Sequence, residues 1–386
     1  MMQVMAKIKD VNFARILWCC EDSKITIDEL AATISVRSTA LTAESLKANG
    51  LTFPQLKRLA SCFGRGALFF LEAEPVDVER AHTLAFRTLA NQKPEMSSRL
   101  RLLIERVESQ RDTFLSLREE LKDNETVKFA PPEFDRKDLK AAAAAARKWL
   151  NLEGLNTFDT YREAVEAKGI LVFRSNGYAG RWQIAKEVPV LGFAIYSIEC
   201  PAIMVKKDTW ESVQSFTLMH ELGHILLHKE SSIDDEQDMQ SYKGHEREAN
   251  AFAGFLLVPD EILAAIRDNE KPVEVSQFEQ WLRPQTQRLG VSTEVVLRRL
   301  LDAGRLSQEA YTEYRVWRNN KAKEDTSRGV RLYRYREPKH IFGGAFIHTV
   351  LDSLQARNIT LTKASRYLDG IKISDLHELE KHVANR

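Results

Sequence analysis

The stretch from Ser215 to Glu230, SFTLMHELGHILLHKE, constrains this chain more than any other. Phe216, Leu218, Met219, Leu222, Ile225, Leu226 and Leu227 cover more than one helical face, so a helix here is buried nearly all round. A buried helix tolerates two histidines and a glutamate only when their polar atoms find partners. His220 and His224 project from one face about 6 Å apart along the axis, and both imidazoles can reach one metal ion. Glu221 sits beside them, a carboxylate placed to take a proton from water at that metal. Two core histidines with ordinary hydrogen-bond partners are the plainer alternative.

A zinc site needs a third protein ligand and, for catalysis, an open position. His228 lies about 12 Å along the axis from His220, too far to share the ion, and near a helix C-terminus it suits the capping of carbonyls. The other source is GHEREANAFAGFLLVP, residues 244–259, where Ala249, Phe252, Ala253, Leu256 and Leu257 mark an amphipathic helix. Glu246 shares a face with Ala249, Asn250 and Ala253, whereas Glu248 is turned about 200° away from it. Glu246 is the expected third ligand and Glu248 the alternative. Asn250, one turn on, suits a partner that orients a ligand histidine.

A chain of 386 residues with 44% hydrophobic content holds two or three domains. GILVFRS (169–175), PVLGFAIYS (189–197) and PAIMVKK (201–207) read as strands, and helical patterns fill most of the rest. The fold class is therefore α+β, predominantly helical, with a small sheet. Four domains or segments are expected: 1–75, a compact all-α module; 76–130, a long helical connector; 131–318, the domain holding the motif; and 319–386, a basic connector with a small helical unit. Leu100, Leu103, Val107, Gln110, Phe114, Leu117 and Leu121 form a seam that fits either a dimer through 100–121 or a long helix packed on its own chain.

Cys19, Cys20, Cys62 and Cys200 form no Cys-x-x-Cys pair, which argues for reduced thiols. No apolar run approaches a membrane span and no secretory pattern opens the chain, so a cytoplasmic protein without a membrane partner is expected. The net charge of +1 conceals asymmetry, because residues 131–318 carry −5 and residues 319–386 carry +5. Within 319–339, Arg331, Arg334 and Arg336 alternate with Tyr333 and Tyr335, a pattern that fits nucleic-acid contact or a solvated basic connector.

The run from Phe216 to His228, followed by Glu246, Ala249, Asn250, Phe252, Ala253 and Pro259, resembles the ImmA/IrrE family of zinc metallo-endopeptidases. The family's pattern is His-Glu-Leu-Gly-His-x-x-x-His and later Glu-x-x-Ala-Asn-x-Phe-Ala. ITIDELAATISV and GLTFPQLKRLASCFGRGALFFLE resemble the helix-turn-helix modules of XRE-type regulators, and that module precedes the peptidase in the family. Its recognition helix would fall at Arg37 to Glu44, and the usual Trp-Glu-x-Gly turn is replaced by Ser45 to Gly50. Residues 1–75 carry a net charge of only +1, so the module is read as degenerate or partner-binding rather than DNA-reading.

The resemblance implies a minimal thermolysin-like (gluzincin) core and one zinc ion per chain, although other divalent metals fit similar ligands. It also implies a specific protein substrate, a helix-turn-helix repressor of XRE type, whose cleavage switches on stress, mobile-element or defence genes. Glu221 would act as general base and acid. Tyr178, Arg181 and His245 are candidate donors to the oxyanion, each otherwise a surface residue. The competing reading is a DNA-binding regulator or antitoxin-like partner whose metal site is structural or vestigial.

Overall fold

The structure is a computed structural model describing residues 7–23, 25–35, 41–48, 50–63, 65–76, 83–93, 96–122, 128–177, 180–241, 243–320 and 334–384. Tyr178, Arg331, Tyr333 and the start of the expected recognition helix, residues 37–40, lie outside these. Two compact units divide the chain, Met1–Arg106 and Val107–Arg386. The division falls inside the helix Ser98–Leu121 rather than at the expected 75/76 and 130/131 boundaries. Its first turns pair Arg101 and Glu105 with Asp22 and Arg65 of the first unit. Its later turns set Phe114 on Phe346 and Gln110 on the Tyr367 carbonyl, so this part of the seam is engaged within its own chain.

In the first unit, strands β1 (Lys7–Ile8) and β2 (Leu51–Thr52) pair antiparallel beside helices Phe13–Asp22, Ile27–Ile34, Ala43–Ala48 and Phe53–Cys62. Thr26 with Glu29, and Thr52 with Gln55, close reciprocal capping boxes that fix two of the helix starts. Ile16, Leu30, Ile34, Leu56, Leu59 and Phe70 form the core. Thr42 and Ser45 bond reciprocally and start the turn of the third helix at Ala43. Arg15 is buried, bonded to Glu72 and the Glu74 carbonyl and set over Phe69, which takes one cation of this unit out of reach of phosphate.

The second unit is built on a mixed four-stranded sheet of β3 (Leu171–Arg174), β4 (Val190–Ile195), β5 (Ala202–Val205) and β6 (Ser232–Asp235), in the order β3-β5-β4-β6. β3 runs parallel to β5, and β4 runs antiparallel to both β5 and β6. The first three strands lie within the expected segments; β6 was not anticipated. The motif helix Glu211–Gly223 packs on β4 and β5, with helix Gly244–Leu257 against it. Helix Leu139–Trp149 packs on the latter, and Ala142, Ala143, Ala146, Leu218, Leu222, Phe252, Ala253 and Leu256 belong to the core that the three helices share.

Helix Glu337–Gln355 packs on β3 and joins the same unit, although 319–386 was expected to stand apart. A buried ion pair holds it there. Arg162 bonds Glu166 at 3.0 Å and also reaches the carbonyls of Val172, Lys339, His340 and Ile341, while Glu166 accepts from the backbone of Gly344 and Ala345. The helix is broken between these contacts at Gly343, φ 78° and ψ 177°. Arg334 and Arg336 form a short 3-10 turn before it, with Arg336 over the Tyr335 ring. Among the described residues no helix is long and apolar enough to cross a membrane.

Candidate metal centre

The motif helix carries His220 and Glu221 into the interior, both 0% exposed, and passes at His224 into a five-residue π turn ending at His228. Such widened turns recur at functional sites because they re-aim side chains. Successive histidine rings lie 4.8 and 5.0 Å apart, so the three imidazoles form a row.

Four donor atoms converge. Nε2 of His220 and Nε2 of His224 are 3.1 Å apart. Glu246 brings Oε2 to 3.3 Å from the first and 3.5 Å from the second, and Asp234 brings Oδ2 to 3.7 Å from each. All four lie within 4.8 Å of one another. Asp234 was missed by sequence reading. It comes from β6, opposite Gly192, in a short polar run without periodicity, and only the pairing of β6 with β4 brings it to the histidines.

The hydrogen bonds outside the cluster fix what faces inward. Asn250 donates through Nδ2 to the carbonyls of Asp238 and Ser241, so its Oδ1, 2.9 Å from His220 Nδ1, accepts from that ring. The His220 Nε2 lone pair then points into the cluster. His224 Nδ1 lies 3.1 Å from His228 Nδ1, leaving its Nε2 directed the same way. Two ring nitrogens facing each other at 3.1 Å beside two carboxylates require a cation or a proton between them.

The electrostatics agree. Burial disfavours a charged His220, yet Asp234 and Glu246 outweigh it and raise its pKa to about 9. Glu246 is held well below the usual carboxylate range: burial opposes its charge, and the two imidazoles more than compensate. Asp234 Oδ2 and Glu246 Oε2 are buried with no aligned hydrogen-bond donor among the described residues. Two imidazoles and two carboxylates with orphaned oxygens suit a divalent ion such as zinc.

Glu221 lies beside this cluster. Ser232 Oγ donates to its Oε2 at 2.9 Å, while Oε1 is buried without a partner. Burial, and then the neighbouring Asp234 charge, push its carboxyl well above the usual range. Such a group can hold or release a proton in a space that excludes bulk water.

Glu248 points away from the cluster, to His228 at 3.0 Å and Arg136 at 2.9 Å. His228 spends both ring nitrogens on side chains, Nδ1 on His224 and Nε2 on Glu248, so it does not serve the carbonyl-capping role expected of it. The four-residue spacing that sets His220 beside His224 repeats here, and Glu248 meets the other side of the His228 ring. His245 stacks on His228 at 4.1 Å and contacts Glu230, one ring further from the cluster. Arg181 is exposed.

Residues 166–301 match the family described as the IrrE N-terminal-like domain, Peptidase_M78. The match includes all four converging residues and Glu221, and it supports a peptidase of metallopeptidase-like type. The chain is also similar to "Uncharacterized immunity region protein 2" of Bacillus phage phi105, 30% identical over 91 residues. That stretch is 23% of this chain and 56% of the phage protein, so the chain spans little more than half of that relative's length.

Proposed function

We propose that this chain, with its metallopeptidase-like region at 166–301, is a zinc-dependent cytoplasmic endopeptidase that cleaves one specific protein, a helix-turn-helix repressor of XRE type. The observation that carries this reading is the unpartnered Glu221 Oε1 beside two convergent imidazoles. A divalent ion bound there supplies Lewis acidity, lowering the pKa of water towards about 7 and polarising a carbonyl. His220, His224 and Glu246 would hold it, with Asp234 as a further donor. Ser232 holds Glu221 by Oε2, which leaves Oε1 to accept the water proton and deliver it to the leaving amine. The name of the phage immunity-region relative supports a regulatory substrate, whose cleavage would control stress, mobile-element or defence genes.

Asp234 also favours a second reading. A fourth protein donor is what closes a structural zinc site, as a DNA-binding regulator or antitoxin-like partner would have. The two separate when the chain is incubated with the protein encoded next to its gene, with metal, with chelator and as Glu221→Gln, and fragments are read by mass spectrometry. The peptidase reading expects a discrete metal-dependent cut that Glu221→Gln reduces by roughly 10²–10⁴ while metal is retained. Cleavage by Glu221→Gln at the wild-type rate, or no cut beside tight sequence-selective DNA binding by the full chain, overturns it.

A further inference from the structure

The row of histidines extends beyond the cluster into a chain of hydrogen bonds that ends outside the matched region. Arg136 Nη2 lies 2.9 Å from Glu248 Oε2, and the same oxygen lies 3.0 Å from His228 Nε2. His228 Nδ1 lies 3.1 Å from His224 Nδ1. The His228 side chain is fully buried, while Glu248 and Arg136 are part-exposed.

The chemistry of these groups allows one direction. An ionised carboxylate only accepts, so the His228 nitrogen facing Glu248 carries the hydrogen. A neutral imidazole with its hydrogen on Nε2 presents a lone pair at Nδ1, and His224 must then donate from its own Nδ1. The proton is thereby excluded from His224 Nε2, the atom that faces His220, Asp234 and Glu246. The opposite tautomer of His228 would set its Nε2 lone pair against a Glu248 oxygen and, by donating from Nδ1 to His224 Nδ1, force a hydrogen onto His224 Nε2, which then could bind no metal. Arg136 supports the sense of the row by holding Glu248 Oε2 where His228 Nε2 meets it.

We propose that Arg136, Glu248 and His228 form a positioning relay that holds His224 in its metal-binding tautomer. His228 acts through His224 and touches neither metal nor substrate. The relay rests on the reading that His220 and His224 bind a divalent ion. It adds that the segment ahead of helix Leu139–Trp149, which lies outside the matched residues 166–301, is wired to one of the ligands. His220 has its own anchor in Asn250, so the two ligands are oriented by different side chains.

The test is the zinc affinity of the full-length chain, measured by competition with a chromophoric chelator, together with ¹⁵N-histidine spectra of the zinc-loaded protein. His228→Ala is expected to weaken zinc binding by about ten- to a hundredfold, the range for partners that orient metal-ligating histidines. His228→Gln should restore much of it, since the amide oxygen can accept from His224 while the amide nitrogen donates to Glu248. Glu248→Ala and Arg136→Ala, at the part-exposed end, should lower affinity in the same direction by less, and they remain informative should His228→Ala not fold. In the wild type the His224 ring should carry its hydrogen on Nδ1.

Zinc held equally tightly by folded His228→Ala, or by Glu248→Ala where the former is unfolded, would overturn the relay alone. So would a Gln variant no better than the Ala variant, because packing rather than hydrogen bonding would then be the cause. A wild-type chain that binds no zinc would overturn the metal reading and the relay together.

Discussion

Gly192 on β4 lies directly against Glu221: a Cβ at this position would come 2.7 Å from Glu221 Oε1. The missing side chain makes the space in which the unpartnered carboxylate oxygen sits. The same Cβ would come 2.7 Å from Thr217 Cγ2 and 3.0 Å from the Met204 carbonyl, so the helix and the sheet cannot both give way cheaply.

Gly192→Ala is therefore expected to displace Glu221. A shift of about 1 Å in a catalytic group costs on the order of a hundredfold in rate, and overpacking costs about 1–3 kcal/mol in stability. Cleavage kinetics with zinc affinity measured alongside check this. Loss of metal binding equal to the loss of rate would place the damage at the histidines instead.

Asp234→Ala removes the donor that stands furthest from the two imidazoles, at 3.7 Å against 3.1–3.5 Å for the others. Zinc affinity should fall by about tenfold or more, and a small anion such as azide should bind faster to the cobalt-substituted protein, because a coordination position is freed. Chelator competition and the visible spectrum of the cobalt form report both. An unchanged affinity would mean that Asp234 does not bond the ion.

Arg162→Met leaves Glu166 buried without its counter-charge, while Gly344 and Ala345 still donate to it. Removing one partner of a buried pair costs about 3–5 kcal/mol, to be read from urea unfolding. Gly343→Ala should be at least as damaging. Its φ of 78° disfavours a side chain, and the new Cβ would fall 1.7 Å from Glu166 Oε1. Wild-type stability in either variant would show that helix Glu337–Gln355 is not held by this clamp.

His340 sets a pH dependence. Its Nε2 donates to the Ser175 carbonyl at 3.1 Å, and burial followed by the charge of Arg174 lowers its pKa from 6.5 to about 3. The unfolded chain takes up this proton near pH 6.5 and the folded chain only near pH 3. Stability present above pH 6.5 is thus lost as pH falls through that window, by up to about 1.4 kcal/mol per unit. Urea midpoints from pH 7 to 4.5 should fall less steeply for His340→Gln than for the wild type; parallel curves would assign the loss to other groups.

The sequence alone determined what lies within single helices. A period of about 3.6 residues sets His220 and His224 on one face, and a turn of about 100° per residue separates Glu246, at 3.3 Å from His220, from Glu248, which faces His228. The mixed α and β elements were legible for the same reason, because apolar spacing is a local property. Tertiary structure alone decided Asp234, Ser232 and Gly192, which meet the motif helix only through the pairing of β6 with β4. It also decided the ends of the relay at Arg136 and of the clamp at Gly343, 112 and 177 residues from their respective partners Glu248 and Glu166. Spacing fixes a residue's direction on its own helix. Which distant carboxylate or guanidinium faces it depends on how strands pair and where the chain returns, and no local period encodes that.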